Sequence, residues 1–173
     1  ANSVNFTDGL DGLATGSLII SFSAITIFTY IAGNSVYSSY LYLPFISNVG
    51  EIVVFISALI GSLLGFLWYN SNPAQIFMGD TGSIPMGATL GLVAILIKQE
   101  FLLLIIGGIF VIEALSVITQ IFSFRIFNKR IFLIAPIHHH FEKLGIKESK
   151  IVIRFWIIGI IFSLIAIATL KIR

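Results

Sequence analysis

Leu13-Ala14-Thr15-Gly16-Ser17-Leu18-Ile19-Ile20-Ser21-Phe22-Ser23-Ala24-Ile25-Thr26-Ile27-Phe28-Thr29-Tyr30-Ile31-Ala32-Gly33 contains no charged side chain. About 20 such residues, wound as a helix, cross the hydrocarbon core of a bilayer. The pattern recurs down the chain. Residues 49–69 qualify, with Glu51 near one end. Residues 101–122 qualify with Glu113 inside, and 152–170 qualify with Arg154 at the start. Residues 84–97 are short, but extend back through Gly82-Ser83. The polar turn Lys98-Gln99-Glu100 separates the third run from the fourth. The sequence therefore predicts an all-α integral membrane protein of five transmembrane helices, one membrane domain over residues 1–173.

Composition agrees. The chain is 57% hydrophobic and 10% charged, against about 25% charged in soluble domains. A net charge of +2 is too small to argue for a nucleic-acid partner. With no cysteine, disulfides and thiolate metal sites are excluded. The first dozen residues are polar and lack the basic-then-apolar order of a cleavable signal. The chain starts without Met, within what reads as a motif, so it is expected to be the C-terminal part of something longer.

Basic residues set the orientation. Arg125, Lys129, Arg130, Lys143, Lys147 and Lys150 crowd into residues 123–150, and Arg154 follows. Residues 34–48 carry no cation, the Lys98 turn carries one, and Lys171 and Arg173 end the chain. The 123–150 segment is thus expected in the cytoplasm. With five spans, residues 70–83 and the N-terminal segment fall on that same side. The opposite loop holds Tyr37, Tyr40 and Tyr42, suited to an interfacial aromatic belt. Gly61 with Gly65, and Gly87 with Gly91, have the spacing that lets helices pack closely in lipid.

Three polar islands share the predicted cytoplasmic face. In Asn5-Phe6-Thr7-Asp8-Gly9-Leu10-Asp11-Gly12, the two carboxylates stand three residues apart, which on a helical turn gives one face. Hard carboxylate oxygens suit Mg²⁺, which takes one or two of them plus water and phosphate oxygens. The competing reading is that Thr7 or Asp8 caps the next helix. In Phe77-Met78-Gly79-Asp80-Thr81-Gly82-Ser83, glycines admit close backbone approach before a helix expected from about Ile84. A capped turn is the plainer alternative. His138, His139 and His140 follow Pro136 in an expected irregular loop, where two of the three can converge on phosphate. Glu113, inside a span, is either functional or a packing group hydrogen-bonded to Ser116. Gln120 lies near the cytoplasmic end of its helix.

Jointly these islands resemble the polyprenyl-phosphate N-acetylhexosamine-1-phosphate transferases. The resemblance rests on Val4-Asn5-Phe6-Thr7-Asp8-Gly9-Leu10-Asp11-Gly12-Leu13-Ala14, on Asn72 through Ser83, and on Ala135-Pro136-Ile137-His138-His139-His140-Phe141-Glu142 with Arg154-Phe155-Trp156 beyond. The His-His-His-Phe-Glu form points to the muramoyl-pentapeptide branch. The resemblance implies transfer of phospho-N-acetylmuramoyl-pentapeptide from UDP-N-acetylmuramoyl-pentapeptide to undecaprenyl phosphate, releasing UMP, with Mg²⁺, at the bacterial cytoplasmic membrane. It implies Asp8 and Asp80 as metal-site carboxylates and Asp11 as part of the same acidic site. It implies His138, His139 and His140 near the phosphates, and Asn5, Asn70, Phe77 and Gln120 on the substrate, Phe77 by stacking on the base. Members of that family are roughly twice as long, with an Asp-Asp motif and lysines in their first half. Little turnover is therefore expected of this chain alone. A homodimer is left open.

Two other readings compete. A transporter fragment would set its acids at mid-membrane depth, whereas these gather at one face. A non-catalytic membrane scaffold would not bind nucleotide. Within the family, a UDP-N-acetylglucosamine or N-acetylgalactosamine substrate is the alternative.

Overall fold

A computed structural model describes residues 1–171, all of them helical or irregular. Arg173 and the side chain of Lys171, counted above among the terminal cations, lie outside the described residues. The helices are α1 (Asn2–Thr7), α2 (Leu13–Ala32), α3 (Ser35–Tyr40), α4 (Ile52–Asn70), α5 (Gly79–Leu96), α6 (Glu100–Ile106), α7 (Gly108–Phe127), α8 (Ile137–Lys143) and α9 (Glu148–Ala168). Short 3₁₀ turns at Val49–Glu51 and Thr169–Lys171 lead into α4 and out of α9.

The uncharged run that decided the fold forms the central helix. Fourteen of the twenty α2 residues are buried, and Leu18, Phe22, Ile25 and Phe28 fill the core between α4, α5, α6 and α9. α2 carries several Ser and Thr inside an apolar bundle, and the helix itself satisfies part of them. Thr26 donates to the Phe22 carbonyl at 2.7 Å and Thr29 to the Ile25 carbonyl at 2.8 Å. α4 is the opposite case. Of its nineteen residues only Ile56, Leu63 and Asn70 are buried, so most of its apolar surface faces outward from the bundle.

Four helical segments are long and apolar enough to cross a membrane: Leu13–Ala32, Val49–Asn70, Gly108–Phe127 and Glu148–Ala168. The expected third span lies within α5, which has a polar first turn and Pro85 in its interior and does not reach that apolarity. The run at 101–122 is also not one helix. It breaks at Gly107 between α6 and α7, where the Ile106 carbonyl accepts from the buried Ser21 hydroxyl at 3.2 Å. Broken helices persist in lipid where a neighbouring hydroxyl meets the freed backbone group.

Tyr37, Tyr40 and Tyr42 are exposed, as an interfacial role requires. The glycine pairs behave unequally. Gly87 lies against Ala1 and Val4 of the α1 segment, while Gly61, Gly65 and Gly91 face open space and pack on no described helix.

Candidate active site

The first island folds as α1 followed by a turn at Asp8–Gly12. Thr7 is buried and spends its hydroxyl on the Ser3 carbonyl at 2.8 Å. α2 starts at Gly12 with no side-chain cap, the glycine at φ +78°, a left-handed conformation that favours glycine. Neither Thr7 nor Asp8 therefore caps α2; Asp8 closes α1 through its backbone N–H, and its carboxylate is left for other work.

The second island is helical earlier than the sequence suggested. α5 begins at Gly79 rather than near Ile84, and Asp80 sits in its first turn. Asn5 joins the two islands. Its Nδ2 donates to Asp80 Oδ1 at 2.6 Å and to Ser83 Oγ at 3.0 Å. Asp8 faces the same helix start. Burial pushes its carboxyl up from the ordinary 3.8, the Gly79 backbone N–H opposes this, and the negative charge of Asp80 adds to the rise. Two carboxylates that repel each other, beside a glycine with open space around it, are a donor set that a hard cation fits. Among the described residues no three His, Asp or Glu side chains close on one point. The pair therefore suits Mg²⁺, which fills its remaining positions with water and phosphate oxygens, rather than a metal needing a full protein cage.

The third island is not the irregular loop expected. His138, His139 and His140 lie on α8, and successive positions on a helix point in different directions. His138 is fully buried, its Nδ1 3.1 Å from Oε2 of the equally buried Glu113 on α7. His139 is partly exposed and pairs with Glu142 one turn on, at 2.5 Å. His140 Nδ1 accepts the Leu133 backbone N–H at 3.1 Å. The His138 and His139 rings meet beside Gly9. A methyl at Gly9 would lie 2.3 Å from His138 Nε2 and 3.3 Å from His139 Nε2. The Asp8–Gly9 turn thus meets α5 on one side and α8 on the other.

The remaining candidates are held elsewhere. Asp11 Oδ2 accepts the Ala74 N–H at 2.9 Å and Asn72 Nδ2 at 3.2 Å. Its own N–H donates to Glu148 Oε1 at 2.7 Å, and Asn72 Nδ2 also reaches Glu148 Oε2 at 3.1 Å. Asp11 therefore ties the loop after α4 to the start of α9. Asn70 is buried, accepting the Thr15 hydroxyl at 2.6 Å and donating to the Ile76 carbonyl at 2.9 Å. It shapes the loop from below and presents little to a ligand. Phe77 projects from that loop, 75% exposed, so its ring face is free to stack. Gln120 donates to the Phe132 carbonyl at 3.0 Å and accepts the Ile131 and Phe132 N–H groups at 3.1 and 2.9 Å. Both ends of that amide clamp the strap that folds back from α7 to α8.

The sequence offers Ser116 as a packing partner of Glu113, one of two readings, and does not pair Glu113 with His138. Ser116 instead donates to the Glu113 carbonyl at 2.6 Å and accepts the Ile137 N–H at 3.0 Å, seating the start of α8. Glu148 is not singled out by the sequence, and Asn72 stands there only as the start of the second motif. No local pattern marks Glu148, which meets Asp11 only through the tertiary fold.

A membrane helix bundle that gathers two repelling carboxylates and a histidine helix at one end suits work on anionic groups at a membrane surface. A family model described as glycosyl transferase family 4 matches residues 1–98, and the chain belongs to that family. It is similar along its whole length to proteins named phospho-N-acetylmuramoyl-pentapeptide-transferase. That of Brachyspira hyodysenteriae is 60% identical, with 45% of its own length covered. Those of Campylobacter lari and Phenylobacterium zucineum are 56% and 59% identical, with 49% and 47% covered. The chain thus spans about half the length of the curated relatives it matches.

Proposed function

We propose that this chain is part of a Mg²⁺-dependent phospho-sugar transferase. The reaction moves phospho-N-acetylmuramoyl-pentapeptide from its UDP carrier to undecaprenyl phosphate and releases UMP. The observation that carries the reading is that the Asp8–Gly9 turn meets Asp80 through Asp8 and the His138–His139 corner through Gly9, from segments far apart in the chain. Phosphoryl transfer asks a protein mainly for positioning and charge neutralisation.

Within this reading Asp8 and Asp80 hold the cation, and Asn5 fixes the Asp80 carboxylate. Bound there, Mg²⁺ supplies neutralisation of diphosphate charge. His139, half open to solvent, donates to a phosphate oxygen. Phe77 stacks on the uracil ring. Asp11, Asn70 and Gln120 act one step back by fixing the loops around the nucleotide. The site faces the cytoplasm of a bacterial inner membrane, where α5 completes a fifth crossing together with its flanking residues. The positive charge of residues 123–150 supports that orientation. Residues outside this chain complete the site, so the chain alone turns over poorly.

The test uses a full-length relative carrying the equivalents of Asp8→Asn and Asp80→Asn. Both variants are expected to lose Mg²⁺-dependent UMP release. Near-normal turnover in either would reject the assignment. Offering UDP-N-acetylglucosamine in parallel decides the sugar.

A further inference from the structure

Glu113 is a buried carboxylate in an apolar helix, and nothing in the proposed chemistry uses it. Among the described residues its carboxylate has one ion-pair contact, with His138 at 3.1 Å. The contact lacks hydrogen-bond alignment, so all four of their polar atoms are otherwise without partners. A buried carboxylate is costly unless it is paired, and intramembrane acids mark function more often than packing. The far side of the same imidazole explains the cost. His138 Nε2 and Cε1 occupy the space beside Gly9 that a side chain would take, 2.3 and 3.0 Å from where a methyl would lie. Gly9 adjoins Asp8.

Because α8 folds back along α7, Glu113 reaches the Asp8–Gly9 turn through a single imidazole.

We propose that Glu113 is a positioning residue for the cation site. By holding His138 Nδ1 it locks the imidazole edge that buttresses Gly9, and so sets the place of the Asp8 carboxylate. This divides the histidine triplet. His138 is fully buried and works on the protein, while His139 is partly exposed and open to a substrate. A partner behind a metal-binding group commonly changes metal affinity 10–100-fold when removed. The inference rests on Asp8 being a cation ligand.

The experiment places this chain in lipid nanodiscs with labelled histidine and glycine, and uses Mn²⁺ as the probe. Two quantities are read: the NMR cross-peak between the His138 ring and Gly9 Hα, and the Mn²⁺ dissociation constant. Glu113→Leu is expected to lose the cross-peak and weaken Mn²⁺ by about tenfold or more. Glu113→Gln keeps an acceptor of the same shape, and is expected to keep the cross-peak and most of the affinity. In a double-mutant cycle, Glu113→Leu is expected to add nothing to His138→Asn. An unchanged cross-peak in Glu113→Leu, or unchanged Mn²⁺ affinity once it is lost, overturns the proposal. If Glu113→Leu does not fold, Gly9→Ala pushes on the same contact from the other end. It should displace the His138 signals and weaken Mn²⁺, and no change in either would overturn the proposal equally. Asp8→Asn separates the two readings. If it leaves Mn²⁺ binding intact, the cation-site assignment fails, and the cross-peak alone still judges whether Glu113 holds the turn.

Discussion

Asn5 Nδ2 stands 2.6 Å from Asp80 Oδ1, across 75 positions of sequence. One neutral amide thereby ties the first motif to the second, reaching Ser83 Oγ as well. A neutral donor is the right group here. A cation would satisfy Asp80 outright and compete with any metal, while an acid would repel it.

Asn5→Leu is therefore expected to free the Asp80 carboxylate and cost about 1 kcal/mol, the scale of one net hydrogen bond. Asn5→Asp is expected to do more, since it sets a third carboxylate beside Asp80 and Asp8. Its melting temperature in detergent should fall at low salt, and Mg²⁺ should recover most of the loss. An Asn5→Asp protein as stable as the parent without Mg²⁺ would show that the carboxylates do not crowd one another.

Asp8 makes the metal-free fold pH-sensitive. Burial first, and Asp80 second, raise its carboxyl above 3.8. The folded chain therefore binds that proton more tightly than the unfolded chain does. The resulting stability is fully present below the ordinary carboxylate value and is lost as pH rises through the raised value. At neutral pH the ionised Asp8 is a liability of the metal-free protein. Asp8→Asn is expected to raise the neutral-pH melting temperature in chelator, to flatten its rise on acidification, and to remove stabilisation by Mg²⁺. A variant less stable than the parent at neutral pH in chelator would contradict this.

The bundle was legible because apolar runs of membrane length leave the chain few choices. The Gly107 break was not, because its compensation comes from Ser21, far off in sequence. The motif residues Asp8, Asp80 and His139 could be picked out as chemically unusual, but their divided labour could not. Asp11 and Asp8 look alike in the sequence. Only the placement of Ala74, Asn72 and Glu148 shows that Asp11 is engaged elsewhere. The three histidines look equivalent until α8 turns each to a different neighbour.

Asp11 and Asp8 should consequently part company under mutation. Asp11→Asn retains an acceptor for the Ala74 N–H, so the loop after α4 should keep its place and Mg²⁺ should still stabilise the chain. Asp11→Ala removes the acceptor, and amide hydrogen exchange over residues 71–78 should accelerate. If Asp11→Asn abolished the Mg²⁺ effect as fully as Asp8→Asn, Asp11 would belong to the cation site after all.

The same loop is seated by the packing of α2 on α9. Gly16 on α2 faces Trp156 on α9, and a methyl at Gly16 would lie 2.2 Å from the indole Cε2 and Nε1. The ring leaves no room for a side chain, and α2 and α9 pack through this point. Gly16→Ala should force them apart, costing about 1–3 kcal/mol as overpacking usually does. The Trp156 indole N–H has no described partner, so Trp156→Leu forfeits no hydrogen bond and opens space. Combined with Gly16→Ala it should restore part of the lost stability. The reach of the change distinguishes it from simple core damage. α2 begins just after the Asp11 turn and α9 begins at Glu148, so parting the helices stretches the Asp11–Glu148 contact. Gly16→Ala should thus also speed hydrogen exchange over residues 71–78, and Trp156→Leu should reverse it. Stability lost with no change in that loop would mean that the α2–α9 contact and the loop are independent.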